Sequence, residues 1–139
     1  PVVIVVMRGA LVFAGQLLPQ LSFPLEIDSV HATRYGDATC GGEIAFRAMP
    51  MSDVAGRTVL LVDDILDQGV TLKAIRDKLL ATGARKVMIA VFANKQTRQA
   101  KPLAADFVGI ALPNRYVFGY GMDVHGYWRN LPSIYAIKE

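Results

Sequence analysis

Asp63, Asp64 and Asp67 lie close together, behind the apolar run Thr58 to Val62 and ahead of Gly69, Val70 and Thr71. Loops at the carboxyl ends of parallel strands are where α/β proteins hold ligands. Amides around Gly69 can approach a phosphate closely because no side chain intervenes, and Thr71 adds a hydroxyl donor. The N-terminus of a following helix favours negative charge, so the segment makes an anion cradle. Two carboxylates beside a phosphate repel it unless a cation lies between them. Asp63 and Asp64 therefore point to Mg²⁺ or to hydrogen bonds with sugar hydroxyls. Asp67 faces the same crevice as a candidate general base. A plain polar loop with Asp67 as a cap accounts less well for three acids with glycine and threonine at this spacing.

Such a cradle needs strands that end where it begins. Apolar runs rich in Val and Ile recur at Val2 to Met7, Thr58 to Val62, Lys86 to Phe92 and Phe107 to Leu112, and read as buried central strands of a parallel sheet. Helical patterns lie between them. Ala10 to Leu18 is apolar around most of its circumference. Thr71 to Thr82 places Leu72, Ile75 and Leu79 on one face and Arg76, Asp77 and Lys78 on the other, with Gly83 as its stop. Strands alternating with helices predict an α/β fold, a doubly wound and mostly parallel sheet flanked by helices. Ala32 to Met51, with Gly36, Gly41, Gly42 and Pro50, reads as a glycine-rich hairpin long enough to form a mobile lid.

At 139 residues, with 53% hydrophobic and 19% charged residues, the chain suits one folded domain spanning 1–139. The net charge of +3 is spread along the chain, with no basic block of the kind a nucleic-acid arm carries. Cys40 stands alone, which leaves no intrachain disulfide and points to a reducing compartment, the cytoplasm. The apolar opening Pro1 to Met7 has neither the basic leader of a signal peptide nor the length of a membrane anchor. A strand starting at residue 1 would bury its own terminus, an indication of residues missing upstream. His31 and His125 lack partners at metal-ligand spacing and read as structural.

Val59 to Thr71 closely resembles the phosphoribosyl pyrophosphate signature of type I phosphoribosyltransferases, in particular their hypoxanthine-guanine branch, and the resemblance extends over nearly the whole chain. It implies Mg²⁺ as cofactor, phosphoribosyl pyrophosphate and a 6-oxopurine as substrates, and a homodimer or homotetramer. By the same resemblance, Asp63 and Asp64 hold the ribose hydroxyls and Mg²⁺. Asp67 takes the N7 proton, and Asp67, Gln68, Gly69, Val70 and Thr71 wrap the 5′-phosphate. Arg8-Gly9, after the first strand, resembles the pyrophosphate loop. Arg34-Tyr35-Gly36 resembles the loop that closes over the site, and Lys95 the lysine that meets the purine 6-oxygen. Pro113 to Asp123 resembles the base-binding segment of a small hood, with Tyr116 stacking on the base and the Val117 backbone reading its edge. Asp123 falls where the base or a second Mg²⁺ would be met, and Arg129 where pyrophosphate would. Two positions depart from the pattern: Gln68 replaces a threonine or serine, and Arg34 replaces a serine.

Two other readings compete. Asp63-Asp64-Ile65-Leu66-Asp67 also spells the Asp-Asp-x-x-Asp pattern of prenyl-diphosphate enzymes, where the acids lie on a long helix of an all-α protein. Here a β-like run precedes them and Gly69 would weaken such a helix. The second is a non-enzymatic regulator of the same fold that senses phosphoribosyl pyrophosphate. Such a protein ordinarily adds a nucleic-acid surface, and no basic helix or aromatic platform is visible.

Overall fold

Strand β1 (Val2–Val6) is buried along its whole length, as a strand with both faces covered must be. The computed structural model describes residues 1–34 and 43–138. After β1 come helix α1 (Leu11–Leu17), a 3-10 turn (Leu18–Gln20) and strands β2 (Glu26–Arg34), β3 (Ile44–Ala48) and β4 (Thr58–Leu66). Helix α2 (Val70–Ala81) and strands β5 (Lys86–Lys95), β6 (Phe107–Leu112), β7 (Val117–Phe118) and β8 (Tyr135–Ala136) complete the order. Six strands form one sheet in the order β3-β2-β1-β4-β5-β6, and β7 and β8 pair separately. All neighbours in the large sheet are parallel except β2 and β3.

Right-handed crossovers decide where the helices go. The chain leaves β1 for β2 on one side and β4 for β5 on the other, so α1 and α2 cover opposite faces. Alternation along β1 shows this directly. Val2, Ile4 and Val6 pack with Leu72, Ile75 and Leu79 of α2, whereas Val3 and Val5 pack with Ala10 and Ala14 beside Phe13 and Leu17. Burying each α2 anchor contributes roughly 1.5–3 kcal/mol. Beyond the last residue of α2, Gly83 turns at φ +105° and its N–H reaches Leu80 O.

Strands β1, β4 and β5 and both helices lie where the periodicity predicts them. β6 is a correction: it pairs only with β5 and forms an edge, leaving Phe107 and Val108 exposed. β2 is an addition, because Glu26 to His31 carries too little continuous apolarity to announce a strand beside β1. β2 and β3 pair antiparallel, and the residues joining them, 35–42, which carry Gly36, Gly41 and Gly42 of the expected glycine-rich lid, lie outside those described. Asp63 and Asp64 belong to a strand, which removes the all-α prenyl-diphosphate reading. Among the described residues no helix is long and apolar enough to cross a membrane.

Candidate functional site

The sheet order reverses between β1 and β4, and a crevice opens beyond the carboxyl ends of strands at such a switch point. Two segments meet there. Arg8 and Gly9 follow β1 across a cis Met7–Arg8 peptide, and Asp63 and Asp64 lie near the end of β4, ahead of Asp67. The contact between them is close enough to demand glycine: a Cβ on Gly9 would overlap Asp64 Oδ2 and lie 2.8 Å from its Cγ. Gly9→Ala is therefore expected to displace the Asp64 carboxylate and cost about 1–3 kcal/mol of stability, the range for overpacking. Urea unfolding measures this, and an unchanged midpoint would show that the loop yields freely.

After β4 the chain turns through Asp67 and Gln68 into Gly69, whose φ of +84° at the helix N-cap suits a residue without a Cβ. No side chain caps α2, so its first amides face the loop. Asp63, Asp67, Gln68, Gly69, Val70 and Thr71 line a cavity of about 370 Å³ together with Arg34. A second cavity, about 240 Å³, is walled by Asp64, Asp67, Lys95, Tyr116, Val117, Asp123 and Arg129. Asp67 and Ile65 line both cavities, so the acid stands where the anion cradle meets the second space.

Inside the second cavity Lys95, buried at the end of β5, places Nζ 3.2 Å from Asp67 Oδ2. The pair sets a donor beside an acceptor. Arg129 donates through Nη1 to Gly121 O at 2.7 Å and lies 3.5 Å from Asp123, whose carboxylate also accepts from Gly126 N–H. Gly121 in turn packs on Gly9 O, which joins the hood to the Arg8-Gly9 loop. Edge-to-face packing of Tyr120 on Phe92 and a Tyr120–Gln16 hydrogen bond fix the hood over the sheet.

Burial and the neighbouring Asp64 charge hold the Asp63 carboxyl well above the usual carboxylate range, and Asp64 is raised chiefly by burial, with Arg129 opposing. Two adjacent acids that resist ionising together suit a site where a cation shares their charge. Among the described residues no three His, Cys, Asp or Glu side chains converge on one point.

Thus the described members of the expected set gather around one crevice: the loop of Asp63 to Thr71, Arg8 and Gly9, Arg34, and Lys95 with Tyr116, Val117, Asp123 and Arg129. Tyr35 lies outside the described residues. Sequence reasoning missed Ile65 and Met122 in the cavity walls, and Lys101. Lys101 Nζ donates to Leu66 O at 2.9 Å and Asn94 Oδ1 at 2.7 Å, tying the ends of β4 and β5 together. Burial lowers its pKa, and only its charge near a strand end could have signalled it.

Comparison with known proteins gives consistent matches. Residues 1–125 match the model of the phosphoribosyl transferase domain. The hypoxanthine-guanine phosphoribosyltransferase of Aquifex aeolicus is 35% identical over the whole chain, which covers 79% of that protein. The hypoxanthine-guanine-xanthine phosphoribosyltransferase of Tritrichomonas foetus is 33% identical, again over the whole chain and 76% of its own length. A crystal structure of a hypoxanthine phosphoribosyltransferase from Staphylococcus aureus superposes with a TM-score of 0.92 at 29% identity, covering 99% of this chain and 75% of that one.

Proposed function

Because the chain belongs to the phosphoribosyl transferase domain family, we propose that its crevice joins a 6-oxopurine to the ribose of phosphoribosyl pyrophosphate. The protein is a hypoxanthine-guanine phosphoribosyltransferase-type enzyme of purine salvage. The observation that carries the assignment of the site is the Lys95–Asp67 pair, standing between the anion cradle and the hood cavity. O6 and N7 lie side by side on one purine edge. A lysine donor and a carboxylate acceptor at 3.2 Å match an edge that offers O6 and an N7–H.

In the reaction the bond from ribose C1 to the pyrophosphate oxygen breaks, purine N9 bonds to C1, and the N7 proton passes to Asp67. Amides of Gly69, Val70 and Thr71 hold the 5′-phosphate, and Tyr116 and Val117 hold the base against Lys95. Arg8 and Arg129 meet the departing pyrophosphate, and carboxylates near the ribose favour the positive charge that develops there. Mg²⁺ would be held by Asp63 and Asp64 with substrate oxygens, and Asp123 would meet the base or a second Mg²⁺; the metal would supply charge neutralisation of the pyrophosphate.

Residues 1–139 are read as one domain, supported by the single large sheet to which both helices attach. A homodimer or homotetramer is the proposed assembly, supported by apolar side chains that a lone chain leaves in water, among them Ile27 at 60% and Met51 at 96% exposure. The proposed location is the cytoplasm, which the single cysteine suits.

One assay tests the whole reading: pyrophosphate release with Mg²⁺, phosphoribosyl pyrophosphate and, in turn, hypoxanthine, guanine, xanthine and adenine. Release is expected to be much faster with 6-oxopurines than with adenine, whose 6-amino group gives Lys95 no acceptor. A non-catalytic sensor would bind phosphoribosyl pyrophosphate and release nothing with any base.

A further inference from the structure

Strand β2 ends at Arg34, and the fold brings that end over the turn into α2. Arg34 Nη1 donates to Gln68 Oε1 at 2.8 Å, between positions far apart in the chain. These are the two positions that depart from the family pattern, and they touch. Both line the anion cradle with Gly69, Val70 and Thr71, and both also line an adjoining cavity of about 680 Å³ bordered by Thr97, Arg98, Gln99 and Lys101.

The guanidinium is only partly satisfied. Arg34 Nε is shielded from solvent and has no hydrogen-bond partner among the described residues. A guanidinium presents five N–H donors in a rigid fork, a shape that matches phosphate oxygens, and a buried N–H without an acceptor is costly. The same cavity holds the uncapped first amides of α2. Arg34 and the uncapped first amides of α2 therefore border one space, and a ligand with several anionic oxygens could meet both. The family pattern puts a hydroxyl donor at position 68, whereas Gln68 offers its amide oxygen to Arg34 and so positions a stronger donor.

We propose that Arg34 binds the 5′-phosphate in this chain, with Gln68 as its positioning residue, the two together replacing the hydroxyl absent at position 68. This rests on the reading of the cradle as the 5′-phosphate site. The binding is non-covalent. Gln68 holds the guanidinium beside the cradle, and its fork turns to the phosphate oxygens when they arrive.

The test is calorimetric titration of ribose 5-phosphate and, separately, of pyrophosphate with Mg²⁺ into wild type and variants, alongside steady-state kinetics. Arg34→Met keeps the apolar stem, and Arg34→Lys keeps the charge. Arg34→Met is expected to weaken ribose 5-phosphate binding and raise KM for phosphoribosyl pyrophosphate about tenfold, the scale of losing a charge-assisted contact. KM for hypoxanthine and affinity for pyrophosphate should hold, and Arg34→Lys should recover part of the loss. Gln68→Ala should weaken ribose 5-phosphate less, and should add nothing in the Arg34→Met background, since residues acting as a unit are not additive. Wild-type affinity for ribose 5-phosphate in a folded Arg34→Met variant, or additive losses in the double variant, would overturn the proposal. A wild-type chain that releases no pyrophosphate with any purine would instead sink the parent reading, and this one with it.

Discussion

Asp67→Asn is expected to lower turnover by about 10²–10⁴, the range of a positioned general base, while the affinity for phosphoribosyl pyrophosphate is retained. The expectation follows from what the substitution preserves. Asparagine has nearly the shape of the acid, and its amide oxygen can still accept from Lys95 Nζ, which lies 3.2 Å from the carboxylate it replaces. In the proposed arrangement the phosphate is held by amides of Gly69, Val70 and Thr71, which the change leaves in place. Only the capacity to take a proton disappears. Steady-state kinetics with hypoxanthine should show the loss in kcat. Wild-type turnover in the variant would remove Asp67 from the chemistry and leave it as a partner for Lys95 alone.

What could be read from the amino acids divides by range. β4, the turn through Gly69 and α2 are legible because every signal is local: a continuous apolar run, acids at its end, a glycine, then Leu72, Ile75 and Leu79 at helical spacing. β2 is not legible, since half-exposed residues such as Ile27 and Asp28 carry no continuous apolarity, and its pairing with β1 depends on a crossover through α1. β6 has the composition of a central strand and lies at an edge. Burial there depends on whether another element reaches it, which composition does not encode.

The same division runs through the site. Asp63, Asp64 and Asp67 announce an anion or metal site from their own spacing. Lys95, Tyr116 and Arg129 are ordinary residues until a fold brings them to the acids, and only the family resemblance singled them out. Lys101 had no such guide, although its contacts close the gap between β4 and β5. The Arg34–Gln68 contact had none either. Each residue alone reads as a departure, and the contact between them makes the two departures a single feature.

Specificity for the 6-position should rest on Lys95, and Lys95→Met is the variant that shows it. The side chain is 11% exposed and its partner Asp67 is 48% exposed. Water can therefore reach Asp67 when the lysine is gone, and methionine fills the space of the buried stem, so the variant should remain folded. Catalysis should bear the loss. A hydrogen bond to a charged donor contributes about 1.5–3 kcal/mol, so kcat/KM for hypoxanthine and guanine should fall by up to roughly 10²-fold. Adenine, which offers an amino group where the others offer an oxygen, gains nothing from the lysine and should react no worse than before. The ratio of 6-oxopurine to adenine rates should therefore shrink by the same factor as the hypoxanthine rate. Equal losses for all four bases would mean that Lys95 acts only by holding Asp67, and the reading of O6 would have to pass to the backbone around Val117.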